Sequence, residues 1–154
     1  MSQQESKKNP ANDLMSLTGY DQLKMGLESK QFKPSIGTTL EFDLIDVEKG
    51  KVTFRGNPSE KHMNPIGTIH GGYAATLLDS ALGCAVHSTL EAGERYTTVD
   101  LNVKYIRAMM PGMGPVTCVG EIVHKGRKTA TANATLVDEN GKLLAHGNTT
   151  CIIL

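Results

Sequence analysis

The stretch GGYAATLLDSALGCAVHSTL, residues 71–90, decides the fold of this chain. On a helix at about 100° per residue, its polar positions and one glycine form a single narrow stripe, and apolar or small side chains fill most of the remaining circumference. A helix with so wide an apolar surface lies inside a protein, and its many small residues let another layer approach closely. We therefore expect a central helix wrapped by a sheet. The stripe comprises Thr76, Asp79, Ser80, Gly83 and His87.

The segments on either side of this helix alternate between apolar and polar residues, as half-buried strands do. Residues 40–54 predict a hairpin that turns at Glu48-Lys49-Gly50. After the helix, the pattern predicts strands over residues 98–105, 116–124, 129–136 and 143–153, and Asn140-Gly141 is a strong hairpin signal before the last of them. Short links predict that these last four strands form an antiparallel meander.

The order of elements predicts an α+β fold, in which an antiparallel sheet of about six strands wraps one long helix. The length of 154 residues suits one domain, which we place at residues 13–154. Residues 13–27 predict a helical lead-in, and the polar residues 1–12 predict a flexible N-terminus.

Composition excludes several classes of protein. The 16 basic and 16 acidic residues cancel, and seven aromatic residues with no Trp leave little for base stacking, which argues against a nucleic-acid partner. No apolar stretch is long enough to span a bilayer, and the polar N-terminus does not resemble a signal peptide. Three widely spaced cysteines do not form a disulfide framework. We expect a soluble, cytoplasmic protein without a membrane partner.

Asp79 is the most informative side chain of the central helix. No other carboxylate lies between Glu60 and Glu91, and no cation stands three or four residues from it along the helix. A charge among apolar neighbours is costly unless a cavity or polar partners compensate. Two interpretations remain open: Asp79 is tied into a structural hydrogen-bonded knot, or it is a catalytic carboxylate whose basicity partial desolvation raises.

The start of the helix offers a second set of candidates. The first N–H groups of a helix have no intrahelical partner, and Gly71 has no Cβ to keep a substrate oxygen from its N–H. Gly71-Gly72 can equally be a tight turn into the helix. His70 can cap the helix, orient a substrate or simply pack, and Asn64 can hold a water or make a local turn before Pro65.

Two further features concern phosphates and metals. Lys125, Arg127 and Lys128 surround Gly126 at a turn, where they suit a phosphate-bearing ligand or form a solvated hairpin tip. Arg107 is a further candidate cation. The histidines lack the spacing of a zinc site, so we expect no metal.

Taken together, Asn64-Pro65-x-Gly67-x-x-His70-Gly71-Gly72 followed by Asp79 resembles the signature of the hotdog-fold acyl-CoA thioesterases. The resemblance is greatest to the subgroup with the phenylacetate-degradation and 4-hydroxybenzoyl-CoA thioesterases, and it covers about residues 35–153. It implies the hotdog fold, a helix wrapped by an antiparallel sheet.

The resemblance also implies roles for single residues. Gly71 N–H would polarise the thioester carbonyl, with His70 and Gly72 beside it. Asp79 would be the nucleophile or the general base, and Asn64 would position water or that carboxylate. Thr98 falls where relatives place an assisting hydroxyl. The cluster Lys125, Gly126, Arg127 and Lys128, with Arg107, would meet the nucleotide end of coenzyme A.

The function implied is hydrolysis of an acyl-CoA or aryl-CoA thioester to the acid and free coenzyme A, with no cofactor. Gly71 and Asp79 are eight residues apart, about 12 Å along one helix, so we expect two chains to share each site in a homodimer, paired into a homotetramer as in relatives. The alternatives are a hotdog hydratase or dehydratase, whose motif spacing differs, and a non-catalytic acyl-CoA sensor, which would gain nothing from Asp79.

Overall fold

The computed structural model describes residues 14–29 and 35–154, and the predicted flexible N-terminus, residues 1–12, lies outside them. The helices of the described part are α1 (Gly19–Ser29), α2 (Ser35–Thr39) and α3 (Gly71–His87), with a 3₁₀ helix at Glu60–His62. The strands are β1 (Phe42–Glu48), β2 (Lys51–Gly56), β3 (Tyr96–Tyr105), β4 (Val116–Lys125), β5 (Thr129–Val137) and β6 (Leu143–Ile153). This α+β architecture confirms the predicted fold class.

One six-stranded antiparallel sheet wraps α3, in the order β1-β2-β4-β5-β6-β3. The predicted meander is right for β4, β5 and β6 but wrong for β3, which pairs with β6 and never touches β4 as a neighbour. The link between β3 and β4, residues 106–115, is long enough to cross from one part of the sheet to another, whereas a two-residue turn would have forced the two strands together. As a result, β3 is an edge strand.

The core lies between α3 and the concave face of the sheet. Leu77, Leu78, Ala81 and Leu82 are inaccessible to solvent, as the apolar circumference of the helix predicts. A side chain at Gly120 on β4 would collide with the backbone carbonyl of Ala81, so sheet and helix are in direct backbone proximity here. The small residues of both elements thus set how closely the sheet wraps the helix.

Both ends of α3 are fixed. The helix ends at His87, three residues before the predicted end, and Ser88 N–H closes the last turn on Cys84 O. Within the described residues, the predicted lead-in contains α1, which begins at Gly19, whose N–H donates to Leu90 O at 2.9 Å; residue 13 lies outside them. α1 therefore docks beside the C-terminal end of α3 and leaves the N-terminal end to the site described next.

Candidate active site

Asn64 lies in a closed loop between the 3₁₀ helix and α3. Its Oδ1 accepts the backbone N–H groups of Ile66 and Thr68 at 3.1 and 3.2 Å, and its Nδ2 donates to Thr68 Oγ1 at 2.7 Å. Of the two alternatives weighed for Asn64, the structure therefore shows the local turn. The second Nδ2 hydrogen is the one polar group that the side chain still offers to another molecule.

The imidazole ring of His70 caps the first turn of α3. His70 is the N-cap residue, and its Nδ1 accepts Gly72 N–H at 2.8 Å, so capping is the role that the structure gives it. Gly72 N–H is thereby occupied. Gly71 N–H has no hydrogen-bond acceptor among the described residues, and it stands at the positive end of the helix dipole. One backbone donor is therefore left pointing out of the helix start.

A cleft of about 290 Å³ lies against this helix start. Asn64, Gly71 and Arg107 all line it, so the structure brings together three residues that the sequence singled out. Tyr105 and Met109 also line it and were not predicted as site residues. Tyr105 OH donates to Gly71 O at 3.1 Å, and the only signal in the sequence was its place at the end of an alternating strand.

Asp79 does not line the cleft. Its side chain is exposed, so the expectation of a carboxylate buried inside an apolar helix is wrong for the single chain. The reason is that the sheet wraps the apolar faces of α3 and leaves Asp79 uncovered, although Gly83 of the same stripe is buried and its other three residues are half-buried. No hydrogen bond or ion pair among the described residues holds Asp79, which contradicts the structural knot. Partial loss of hydration against the apolar helix raises the pKa of this carboxyl.

Thr98, like Asp79, does not line the cleft. Its side chain is exposed on β3, and its Oγ1 lies 4.0 Å from Cys151 Sγ. Burial raises the pKa of the Cys151 thiol, and the charge of Asp79 adds to the rise. These predicted site residues therefore fall into two groups: Asn64, Gly71 and Arg107 line the cleft, whereas Asp79 on α3 and Thr98 on β3 are exposed outside it.

The cations of the basic turn after β4 also fall into two groups, one paired within the chain and the other exposed. Lys125 Nζ donates to Glu94 Oε2 at 2.6 Å and to Thr89 O at 3.0 Å, so its charge holds the turn onto the segment after α3. Gly126 N–H closes the turn on Thr129 O. Arg127 and Lys128 are exposed and make no ion pair within the described part of the chain. These two are the cations that remain available to a phosphate.

The edge strand β3 carries an unusual number of exposed apolar side chains. Val99 and Tyr105 are each 57% exposed, Leu101 is 37% exposed, and the strand has a neighbour on one side only. An unpaired strand edge that carries exposed apolar side chains can pair with or pack against another chain. No helix of the described part is long and apolar enough to cross a membrane, and no group of His, Cys, Asp or Glu there could hold a metal ion.

Comparison with known proteins identifies the relatives of this chain. The family model described as Thioesterase superfamily matches residues 66–145. Acyl-coenzyme A thioesterase 13 of Homo sapiens is 30% identical over 129 residues, which are 83% of this chain and 89% of the relative. The 1,4-dihydroxy-2-naphthoyl-CoA hydrolase of Listeria monocytogenes is 28% identical over 106 residues, which are 69% of this chain and 85% of the relative.

A solved structure supports the fold. The E. coli PaaI protein from the phenylacetic acid degradation operon superposes with a TM-score of 0.77 over 89% of this chain and 96% of its own, at 17% sequence identity. The matched family residues include the cleft residues Gly71 and Arg107 and also Asp79 and Thr98.

Proposed function

Since the chain belongs to the thioesterase superfamily and has the hotdog fold, it is a thioester hydrolase, and we propose that it cleaves an acyl or aryl thioester of coenzyme A at a site shared by two copies of the chain. The named relatives act on both kinds of thioester, an acyl-coenzyme A and a naphthoyl-CoA. The preference between them depends on the lining of the completed site.

One observation carries the shared site: the free backbone donor and the carboxylate do not meet within one chain. Gly71 faces the cleft, and Asp79 lies eight residues further along α3, about 12 Å away on a helix axis. A reacting carbonyl carbon must sit about 3–3.5 Å from its attacking atom. The side chain of Asp79 is far too short to bridge that distance, so a single chain leaves each half of the site without the other.

Two copies related by a twofold axis supply both halves. The exposed apolar edge of β3 can pair with the same edge of a second chain, which satisfies its unpaired backbone groups. Such a pairing runs the two α3 helices antiparallel, with Gly71 of one chain opposite Asp79 of the other. The proposal is therefore a homodimer with two sites, and pairing of dimers would give the homotetramer.

The chemistry follows from the two groups. Gly71 N–H donates to the thioester oxygen, and this bond strengthens as negative charge develops there. Asp79 supplies the electron pair for attack on the carbonyl carbon, either directly or through a water that it deprotonates. The C–S bond then breaks and coenzyme A leaves as the thiolate. On the direct route, water hydrolyses the acyl-Asp79 anhydride to the acid and restores the carboxylate; on the water route, the acid forms at once and the proton taken up by Asp79 passes to the thiolate. Asn64 offers its remaining Nδ2–H at the helix start, and Thr98 offers an exposed hydroxyl on β3 that can assist.

The nucleotide end of the substrate is assigned to exposed cations. Arg127 and Lys128 are free of ion pairs in the described part of the chain, and Arg107 stands at the rim of the cleft. Arginine and lysine bind phosphates through charge-assisted hydrogen bonds. The free cysteines Cys84, Cys118 and Cys151 fit a reducing compartment, and we place the enzyme in the cytoplasm on that ground.

Mixing two inactive variants tests the shared site. Asp79→Ala removes the carboxylate. Gly71→Pro removes the N–H at the first helical position, where a helix accepts proline, and the exposed ring of Tyr105 must move slightly to make room for it. A heterodimer of the two contains one intact site and one site that lacks both groups. After co-refolding, release of free thiol from a panel of acyl-CoA and aryl-CoA thioesters should rise toward half of the wild-type rate per dimer.

The controls decide what a negative result means. Each variant refolded alone must stay inactive, and the heterodimer must be demonstrated with two different affinity tags. Verified heterodimers without recovered activity would disprove the shared site. A wild-type protein that releases no thiol from any member of the panel would disprove the substrate class instead.

A further inference from the structure

His62 is a buried histidine that the proposed chemistry does not use. Only 6% of its surface is exposed, and it ends the 3₁₀ helix just before the Asn64 loop. Its Nδ1 accepts Ser59 N–H at 3.0 Å, so in the neutral ring the proton is on Nε2. Nε2 is buried and has no partner among the described residues. A leucine or phenylalanine would fill this place without burying an unpartnered polar atom, so the histidine calls for an explanation.

The ring of His62 contacts the first turn of α3. It stacks against Tyr73 with ring centroids 4.6 Å apart and an angle of 37° between the planes. Tyr73 is the third residue of α3 and is 97% buried, and its N–H donates to His70 O at 2.9 Å. The ring of His62 thus packs on the same turn that presents Gly71 N–H.

The backbone of His62 reaches the same turn from the other side. His62 O accepts His70 N–H at 2.7 Å, and Met63 pairs with Ile69 in an isolated antiparallel bridge. These contacts join the two ends of the loop that carries Asn64. The ring and the backbone of His62 therefore connect this residue both to the loop and to the N-cap of α3.

We propose that His62 is a positioning residue for thioester hydrolysis: its ring bridges Ser59 N–H and Tyr73, and so holds the first turn of α3 with Gly71 N–H directed at the substrate. The proposal rests on the proposed role of Gly71. Displacing a donor by a fraction of an ångström weakens its bond to the developing oxyanion more than its contact with bound substrate, so the effect falls on kcat.

Three exchanges at one position separate the parts of this role. His62→Phe keeps a ring against Tyr73 but removes the acceptor of Ser59 N–H. His62→Asn keeps an acceptor near the position of Nδ1 but removes the ring. His62→Leu removes both. Because the partly buried N–H of Ser59 must then find another partner, we expect loss of the acceptor to shift the loop base more than loss of the ring.

Kinetics give the first readout. At a temperature where all variants are folded, His62→Phe and His62→Leu should lower kcat about tenfold with KM changed less than twofold, and His62→Asn should stay within about threefold of wild type. His146→Phe is the matched control, because His146 projects from the outer face of β6, away from the cleft. A purely structural role would lower the folded fraction and leave kcat per folded chain unchanged, and that result would overturn the proposal.

The amide of Gly71 gives a readout that does not depend on activity. In protein labelled with ¹⁵N-glycine, His62→Phe should move the Gly71 cross-peak, and His62→Asn should return it toward its wild-type position. If His62→Phe does not fold, His62→Leu, which also lacks the acceptor of Ser59 N–H, must move the same peak. An unmoved Gly71 peak would overturn the proposal even in an active enzyme. If the wild type hydrolysed no thioester, the proposed function would fail, and the position of this peak would still test the role of His62.

Discussion

The first turn of α3 and the segment around Asp79 belong to one helix, but their surroundings differ. At the first turn, His70 caps the backbone, Tyr105 OH binds Gly71 O, and a cleft of about 290 Å³ lies in front. Around Asp79, the side chain is exposed, makes no bond within the described residues, and has a raised pKa because the apolar helix takes part of its hydration. The first turn is therefore held by contacts within one chain, whereas no bond among the described residues holds Asp79.

This difference explains why a helix so apolar carries a carboxylate at all. Within a single chain, an unpaired Asp79 stabilises nothing. In the proposed homodimer, a second chain would bring a helix start and a substrate to Asp79, and the carboxylate would then serve catalysis. We therefore expect the first turn of α3 to serve both stability and function, and Asp79 to serve function alone.

The largest effect should come from removing the carboxylate. We expect Asp79→Asn and Asp79→Ala to lower kcat by about two orders of magnitude or more, since each removes the base or nucleophile while the fold stays intact. Thiol release under saturating CoA thioester measures this. Glu48→Gln, on β1 at the opposite edge of the sheet, is the control for loss of one exposed negative charge. Near-native kcat in Asp79→Asn would exclude Asp79 as the catalytic group.

A smaller effect should come from the exposed cations of the basic turn. Arg127→Ala combined with Lys128→Ala should raise KM for CoA thioesters about tenfold and leave kcat within twofold, because the phosphate contacts are remote from the reacting carbon. Thioesters of N-acetylcysteamine, which lack the nucleotide, should be hydrolysed as by the wild type. Arg55→Ala removes an exposed cation at the far end of the β2–β4 pair and is the matched control. Equal losses on both substrates would contradict a nucleotide-binding role.

Lys125 differs from the other two cations of that turn. The sequence placed it with Arg127 and Lys128, because three cations around a glycine look alike. In the structure its ammonium binds Glu94 and Thr89 O and lowers the pKa of the Glu94 carboxyl. Glu94 is distant in sequence, so no local pattern could reveal this pairing.

Local sequence patterns predict some features of the fold, but they do not show contacts between distant parts of the chain. The long helix and its wrapping strands were predictable because their periods of 3.6 and 2 are local properties of residues 71–90 and of the strands. The place of β3 beside β6 was not, because it depends on which strand edges remain free. The exposure of Asp79 was not predictable either, since the helical pattern shows which stripe is polar but not whether a layer covers it.

The smallest effect concerns stability, and it tests whether Asp79 serves function alone. The raised pKa of Asp79 means that the folded state binds its proton more tightly than the unfolded chain does. As pH rises from about 3.9, the unfolded value, through the higher folded value, this group therefore reduces the stability of the fold, and the reduction is complete once the pH lies well above the folded value.

Asp79→Asn keeps the shape of the side chain and carries no such charge. At fixed chain concentration we expect its melting temperature to exceed that of the wild type by about 1–2 °C at pH 7, with the difference shrinking toward zero as the pH is lowered to about 4. Thermal unfolding followed by circular dichroism at several pH values measures this, with Glu48→Gln again as the control. If Asp79→Asn is inactive and yet more stable than the wild type at neutral pH, Asp79 serves function alone, unlike the first turn of α3. If Asp79→Asn instead melts below the wild type at pH 7 and reaches the wild-type value in acid, the charge of Asp79 stabilises the fold. The distinction between the two regions would then be wrong.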